Sequence, residues 1–146
     1  MIKGADQLKR ALAGLEKQFA HPLMQKVHIK AAEPLVTRMH RLSPVGNTGD
    51  LAESVGIVKL GKKVDESGAI QVGPRKGGGF KGYHGHLVEF GTKKRRTKRS
   101  GANRGIMPKF PFVERSWDQT NKEVLARIEK EQSKAVTNYL NRTVPK

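Results

Sequence analysis

Apolar side chains recur at helical spacing near both ends of the chain and fall into short runs in the middle. Leu8, Leu12, Leu15 and Phe19 are spaced for one helix face, with Lys9, Arg10, Glu16 and Lys17 opposite, which predicts a helix over about 5–19. His21-Pro22 punctuates it. A second stripe follows in Leu23, Val27, Ala31, Leu35, Met39 and Leu42. Pro34 lies inside that stripe, removes one backbone donor and crowds the carbonyl of Lys30, so a kink or a restart is expected there. Ser43-Pro44 ends the segment. The stretch from Pro44 to Val55 reads as a turn and one short helical turn, with Asn47 or Thr48 placed to accept from its free amides and Asp50 at its positive end.

The period then changes. Val55–Leu60 and Ala69–Val72 are apolar runs joined by the charged segment Gly61–Gly68, which predicts a β-hairpin with a long exposed tip. Gly73-Pro74 stops the second run, and the glycine-rich stretch Arg75–Gly82 reads as a flexible loop. His84 to Phe90 is expected to be a third strand, closed by Gly91-Thr92. A basic arm follows, and Pro108 and Pro111 bracket Phe110 just before the last helix. That helix is predicted from Pro111 or Phe112 to Leu140, with Val113, Trp117, Val124, Ile128, Ala135 and Tyr139 along its apolar face. The stripe thins at Asn121 and at Glu131-Gln132, so the distal half is solvated or docked on another subunit. The order implies an α+β fold in a single domain: helices over about 5–42, a sheet region over 55–91, an arm over 92–109 and a helix over 111–140.

Charge changes the picture more than length does. At 146 residues one domain buries about 70% of its unfolded surface, while the aromatic fraction of 5% makes the core lean. Net charge is +16, which favours acidic partners. It is unevenly spread: from Arg75 to Lys109 eleven basic residues face the single acid Glu89, a net +10. The densest part is Lys93, Lys94, Arg95, Arg96, Lys98 and Arg99, with Arg104 beyond. Such a run repels itself and cannot be buried unpaired, so the arm is expected to stay disordered until it meets an anionic surface. Cysteine is absent, which removes disulfides, thiol nucleophiles and Cys-based zinc sites together. No apolar run reaches signal-peptide or membrane-spanning length, so a soluble protein without membrane contact is expected.

Candidate chemistry is sparse. Gly77-Gly78-Gly79 among Arg75, Lys76 and Lys81 could cradle a phosphate, but it lacks the Gly-Lys-Ser/Thr ending of a P-loop. His84 and His86 would share one face of a strand, but Val88 and Phe90 share it too and no third ligand is near, so no metal site is expected. No serine sits in a nucleophile-elbow context, and the acids pair along helix faces, as Glu123 does with Arg127. No catalytic residue and no cofactor is expected. The arm is the one strong signal, and it points to an anionic partner, DNA or an acidic protein.

The ordered set Pro44…Thr48-Gly49-x-Leu51-x-x-Ser54-Val55, Val72-Gly73-Pro74, His86-Leu87-Val88-Glu89-Phe90-Gly91-Thr92 and Pro108…Pro111-Phe112 resembles the neck or tail-completion proteins of long-tailed bacteriophages. These head–tail joining proteins are also described as minor tail components. In that family a Thr-Gly-x-Leu turn, a Val-Glu-Phe-Gly-Thr strand and a Pro-Phe helix opening occur in this order, and the resemblance runs from about Leu23 to Trp117. The arm departs from it, being longer and far more basic. The resemblance implies a non-enzymatic virion protein, made in the host cytoplasm. It would form a homo-oligomeric ring, a hexamer, at the head–tail junction. A head-side connector or stopper, a tail terminator or tail tube protein, and the genomic DNA in the channel would be its neighbours.

Two other classes fit parts of the sequence. A basic nucleic-acid-binding module matches the charge, but eight aromatics and no recognition-helix pattern speak against it. A small toxin-type ribonuclease would need His84 or His86 to work against a bound phosphate. For stability, Phe110, Phe112 and Trp117 are expected to anchor the last helix to a sheet carrying Val88 and Phe90.

Overall fold

A computed structural model describes residues 13–14, 21–61, 63 and 67–143. The predicted first helix therefore lies outside the described residues, apart from residues 13 and 14, which are helical. The elements in order are α1 (His21–Ala31), α2 (Glu33–Leu42), α3 (Asp50–Ser54), β1 (Val55–Lys59), β2 (Ile70–Pro74), β3 (Lys76–Gly77), β4 (Phe80–Lys81), a 3-10 turn (Gly82–His84), α4 (Gly85–Phe90) and α5 (Phe112–Thr143). β1 pairs with β2, and β3 pairs antiparallel with β4, as two separate two-stranded sheets. This is the expected α+β fold.

Pro34 acts as the restart the sequence predicts. α1 ends at Ala31, and the proline falls in the first turn of α2, where a missing N–H leaves no bond unmade. The hairpin of β1 and β2 and the start of the last helix also lie where the sequence puts them.

Two compact units divide the chain: residues 1–33, 58–71 and 122–146 in one, 34–57 and 72–121 in the other. In the first, Val27, Ala31, Ala32 and Val124 are buried. Gln25 donates to the Leu60 carbonyl at 2.7 Å and His28 Nδ1 to that of Gly68 at 2.9 Å, tying α1 to the hairpin. In the second, Leu35, Met39, Leu51, Ala52, Val55 and Phe112 are the buried apolar side chains. There α3 lies against β4 and the 3-10 turn. Ser54 is buried with its hydroxyl donating to the Leu51 carbonyl at 2.6 Å, while its own carbonyl receives both the backbone N–H and the Nε of Arg75.

Four expectations are corrected. First, His84–Phe90 is not a strand: the segment is the end of the 3-10 turn followed by α4. A run this short carries no decisive period, and the helical turn places Glu89 inward where a strand would have put Val88 and Phe90. Second, the triple glycine is a tight reversal between β3 and β4, with Gly78 and Gly79 at φ 58° and 91°. Two positive-φ residues at the centre of a two-residue hairpin loop match the twist of the flanking strands, and glycine takes that conformation without a Cβ clash.

Third, the inward stripe of α5 is Phe112, Ser116, Thr120 and Val124, one position away from the expected Val113 and Trp117. Ser116 donates to the Phe112 carbonyl at 2.5 Å and Thr120 to the Ser116 carbonyl at 2.8 Å. Each hydroxyl is satisfied by the preceding turn, so small polar residues occupy the buried line without an unpaired donor. Fourth, the aromatic anchor reduces to one ring. Phe112 is 0% exposed, whereas Trp117 is 43% and Phe90 74% exposed, and Phe110 is also at the surface.

Candidate anionic-partner interface

The segment between α4 and α5 folds back on itself. Thr92 N donates to the Met107 carbonyl, Arg95 N to Gly105, Arg104 N to Arg95 and Thr97 N to Ala102, at 2.8–3.1 Å, with an antiparallel bridge between Arg96 and Asn103. The reversal at Thr97–Ala102 is closed by Gly101 N on the Thr97 carbonyl and by a 2.6 Å contact between the Thr97 and Ser100 hydroxyls. The arm expected to be disordered is thus a paired finger. Strand pairing uses backbone groups alone, so like-charged side chains can all project outward while the main chain bonds to itself.

Lys93, Lys94, Arg95, Arg96, Lys98, Arg99 and Arg104 are all exposed, and no acid lies between Glu89 and Glu114. With roughly 3.3 Å of rise per strand residue, five residues from Thr92 to Thr97 reach about 17 Å. Lys109, at the foot, is paired with Glu114 at 3.4 Å. The finger therefore offers a dense cationic surface, and among the described residues its seven cations from Lys93 to Arg104 have no ion pair to give up on binding.

The foot is built from the motif Val88-Glu89-Phe90-Gly91-Thr92. The Val88 carbonyl accepts from Phe110 N at 2.9 Å. Glu89 is buried, and its two carboxylate oxygens accept from Val113 N at 2.9 Å and Glu114 N at 3.0 Å. Those are free donors of the first turn of α5, and the negative charge sits at the positive end of the helix dipole. Gly91 adopts φ 71°, ψ −178°, a region open essentially to glycine, and a Cβ there would lie 2.9 Å from both Lys109 N and the Met107 carbonyl. Thr92 closes the foot twice, because its Oγ1 also accepts from Met107 N at 3.0 Å. Pro111 leads into α5, and its carbonyl accepts from Arg115 N.

Thr48, Gly49, Leu51 and Ser54 serve a second local structure. Thr48 Oγ1 accepts from Asp50 N at 3.4 Å, Gly49 caps α3 in left-handed backbone, and Leu51 and Ser54 are its buried face. They are remote from the cationic tip in role, as is Phe90, whose ring faces solvent. His84 and His86 lie on the 3-10 turn and α4, and no cluster able to hold a metal ion occurs among the described residues. No described helix is long and apolar enough to cross a membrane.

Sequence reasoning missed the role of Glu89, whose acceptors' partners lie more than twenty residues away, and the place of Arg75. The Arg75 guanidinium stacks 3.6 Å over Phe80, and its only local signal is the neighbouring glycine-rich turn.

The family model described as "Bacteriophage HK97-gp10, putative tail-component" matches residues 6–91. The match takes in the α3 motif and the foot as far as Gly91, and ends before the first cation of the finger. No curated protein and no solved structure matches the chain.

Proposed function

The chain belongs to the HK97-gp10-like family of bacteriophage tail components, and from that premise we propose that it is a non-enzymatic structural protein of the head–tail junction. Copies assemble as a ring, of six subunits, around the DNA channel. A connector or stopper lies on the head side, and a tail terminator or tail tube protein on the other. The observation that carries this reading is the finger: seven exposed cations on a hairpin clamped at its foot. Rings of such fingers would repel one another unless a polyanion lay between them, and DNA phosphates in a channel supply that countercharge without sequence preference. An acidic face on an adjoining ring would supply it too.

The test replaces Lys93, Lys94, Arg95, Arg96, Lys98 and Arg99 together by Ser and scores particles by electron microscopy and titre. The expected result is folded, soluble subunits that fail to join heads to tails or to retain DNA. In the parent, DNA binding should weaken steeply with salt, the logarithm of the affinity falling by about 0.9 per neutralised phosphate for each tenfold rise in salt. A protein contact would survive nuclease treatment. Normal yields of infectious particles from the variant would reject the reading.

A further inference from the structure

Aromatic residues are scarce in this chain, eight in all, yet five of those described lie at the surface between residues 80 and 117. Two of the five already have a cation against the ring: Phe80 beneath Arg75, and Phe110 5.5 Å from Arg115. Tyr83 and Phe90 are 65% and 74% exposed and line one cleft of about 450 Å³ together with Pro74, His86 and Val113. Nearly all the other residues of the motif that holds Phe90 are engaged at the foot of the finger. Phe90 itself contributes nothing to the buried core.

We propose that the face of Tyr83, His86, Phe90 and Val113 is the contact through which one copy of this chain binds the next, an inference that rests on the ring reading. Charge selects the occupant. From Gly82 to Thr92 there is no Lys or Arg, although Arg75, Lys76 and Lys81 precede the segment and the most basic run of the chain follows it. The one acid, Glu89, is spent on the two amides of α5. Lys76 is the one Lys or Arg among the described residues that line the cleft. An acidic partner gains nothing from such a surface, since its attraction lies on the finger. A second copy carrying +16 needs the opposite, a patch where apolar area is removed from water and no like charges are pressed together. Interface cores are depleted in charge and enriched in Tyr and Phe in the same way. In a ring the contact is heterologous, so this face meets a different surface of the next subunit.

Two measurements test it. In native mass spectrometry over a concentration series, Phe90→Ser should raise the apparent dissociation constant between subunits about 30-fold, the loss expected for an aromatic hot spot, while Phe90→Leu stays near the parent. Circular dichroism should show both folded, because the ring is solvent-exposed. In assembled particles, a photoreactive benzoylphenylalanine at position 90 should cross-link to another copy of this chain. Rings of Phe90→Ser as tight as the parent's, or cross-links to a different virion protein, would overturn the inference and leave the ring standing. If parent subunits form no ring in solution and a general lysine cross-linker joins no two copies in particles, the ring reading itself fails. A subunit monomeric in solution that still links to its own kind from position 90 in particles supports the inference, with assembly on a template.

Discussion

The foot and the tip of the finger are a few residues apart and are built by opposite rules. At the foot, Val88 bonds with Phe110, Glu89 with Val113 and Glu114, and Thr92 with Met107, beside the fully buried Phe112. At the tip, seven cations stand in solvent on a two-stranded ladder held by backbone bonds, the Thr97 and Ser100 hydroxyls and the Asn103 side-chain carbonyl, which accepts from Gly105 N. An isolated two-stranded ribbon is marginal in water, so its direction must be set from below. The difference separates anchoring from charge: one end contributes stability, the other carries the cations and contributes little stability. The sharpest way to break that division is at Phe112. Truncation to alanine should cost about 3–5 kcal/mol, a large share of a domain's stability, and lower the melting temperature accordingly. Trp117→Ala, one turn on and partly in water, should cost under about 1 kcal/mol. Equal losses from the two would mean that burial at Phe112 is not what secures the foot.

Glu89 gives a smaller and more specific effect. Glu89→Gln keeps the shape but leaves one oxygen where two accepted, and turns an amide NH2 toward a backbone donor. Losing a charge-assisted bond at a helix start should cost about 1.5–3 kcal/mol. Urea unfolding measures that cost, and hydrogen exchange at Val113 and Glu114 locates it. Exchange there should speed up before exchange in the middle of α5 does. Unchanged protection of those two amides would show that the carboxylate does not cap the helix.

What could be read in the sequence divides along physical lines. Helical stripes such as Val27, Ala31, Leu35 and Met39 are local and periodic, so they announce themselves, as do Pro34 and the Val/Ile runs of the hairpin. The misreading of residues 84–90 came from a short apolar run that fits either period, with the deciding contact, Glu89 to Val113 and Glu114, supplied from across the fold. On α5, apolar spacing favoured Val113 and Trp117, because a hydropathy stripe cannot see that Ser116 and Thr120 bury themselves by bonding one turn back. The cations of the finger were legible as an exposed charged run, but their density hid the ladder beneath them. Ser100-Gly101 at the reversal and Asn103 beside the bridge were the available turn signals.

The smallest expected effect on stability is at the tip itself. Changing Lys93, Lys94, Arg95, Arg96, Lys98 and Arg99 to Ser removes six positive charges and, in the described residues, no ion pair: the finger's only one, at Lys109, is untouched. Exposed substitutions away from caps and core shift stability by no more than about 0.5 kcal/mol. Here the sign should be slightly favourable, because self-repulsion in a chain of +16 is relieved. Urea midpoints of parent and variant should therefore nearly coincide at moderate salt. At low ionic strength, where the Debye length is about 30 Å at 0.01 M, the parent alone should lose stability. The ladder bonds of Arg95, Thr97 and Arg104 use main-chain atoms, so their amide protection should persist in the variant. A variant that unfolded at markedly lower urea would place structural weight on the charged side chains and erase the distinction between foot and tip.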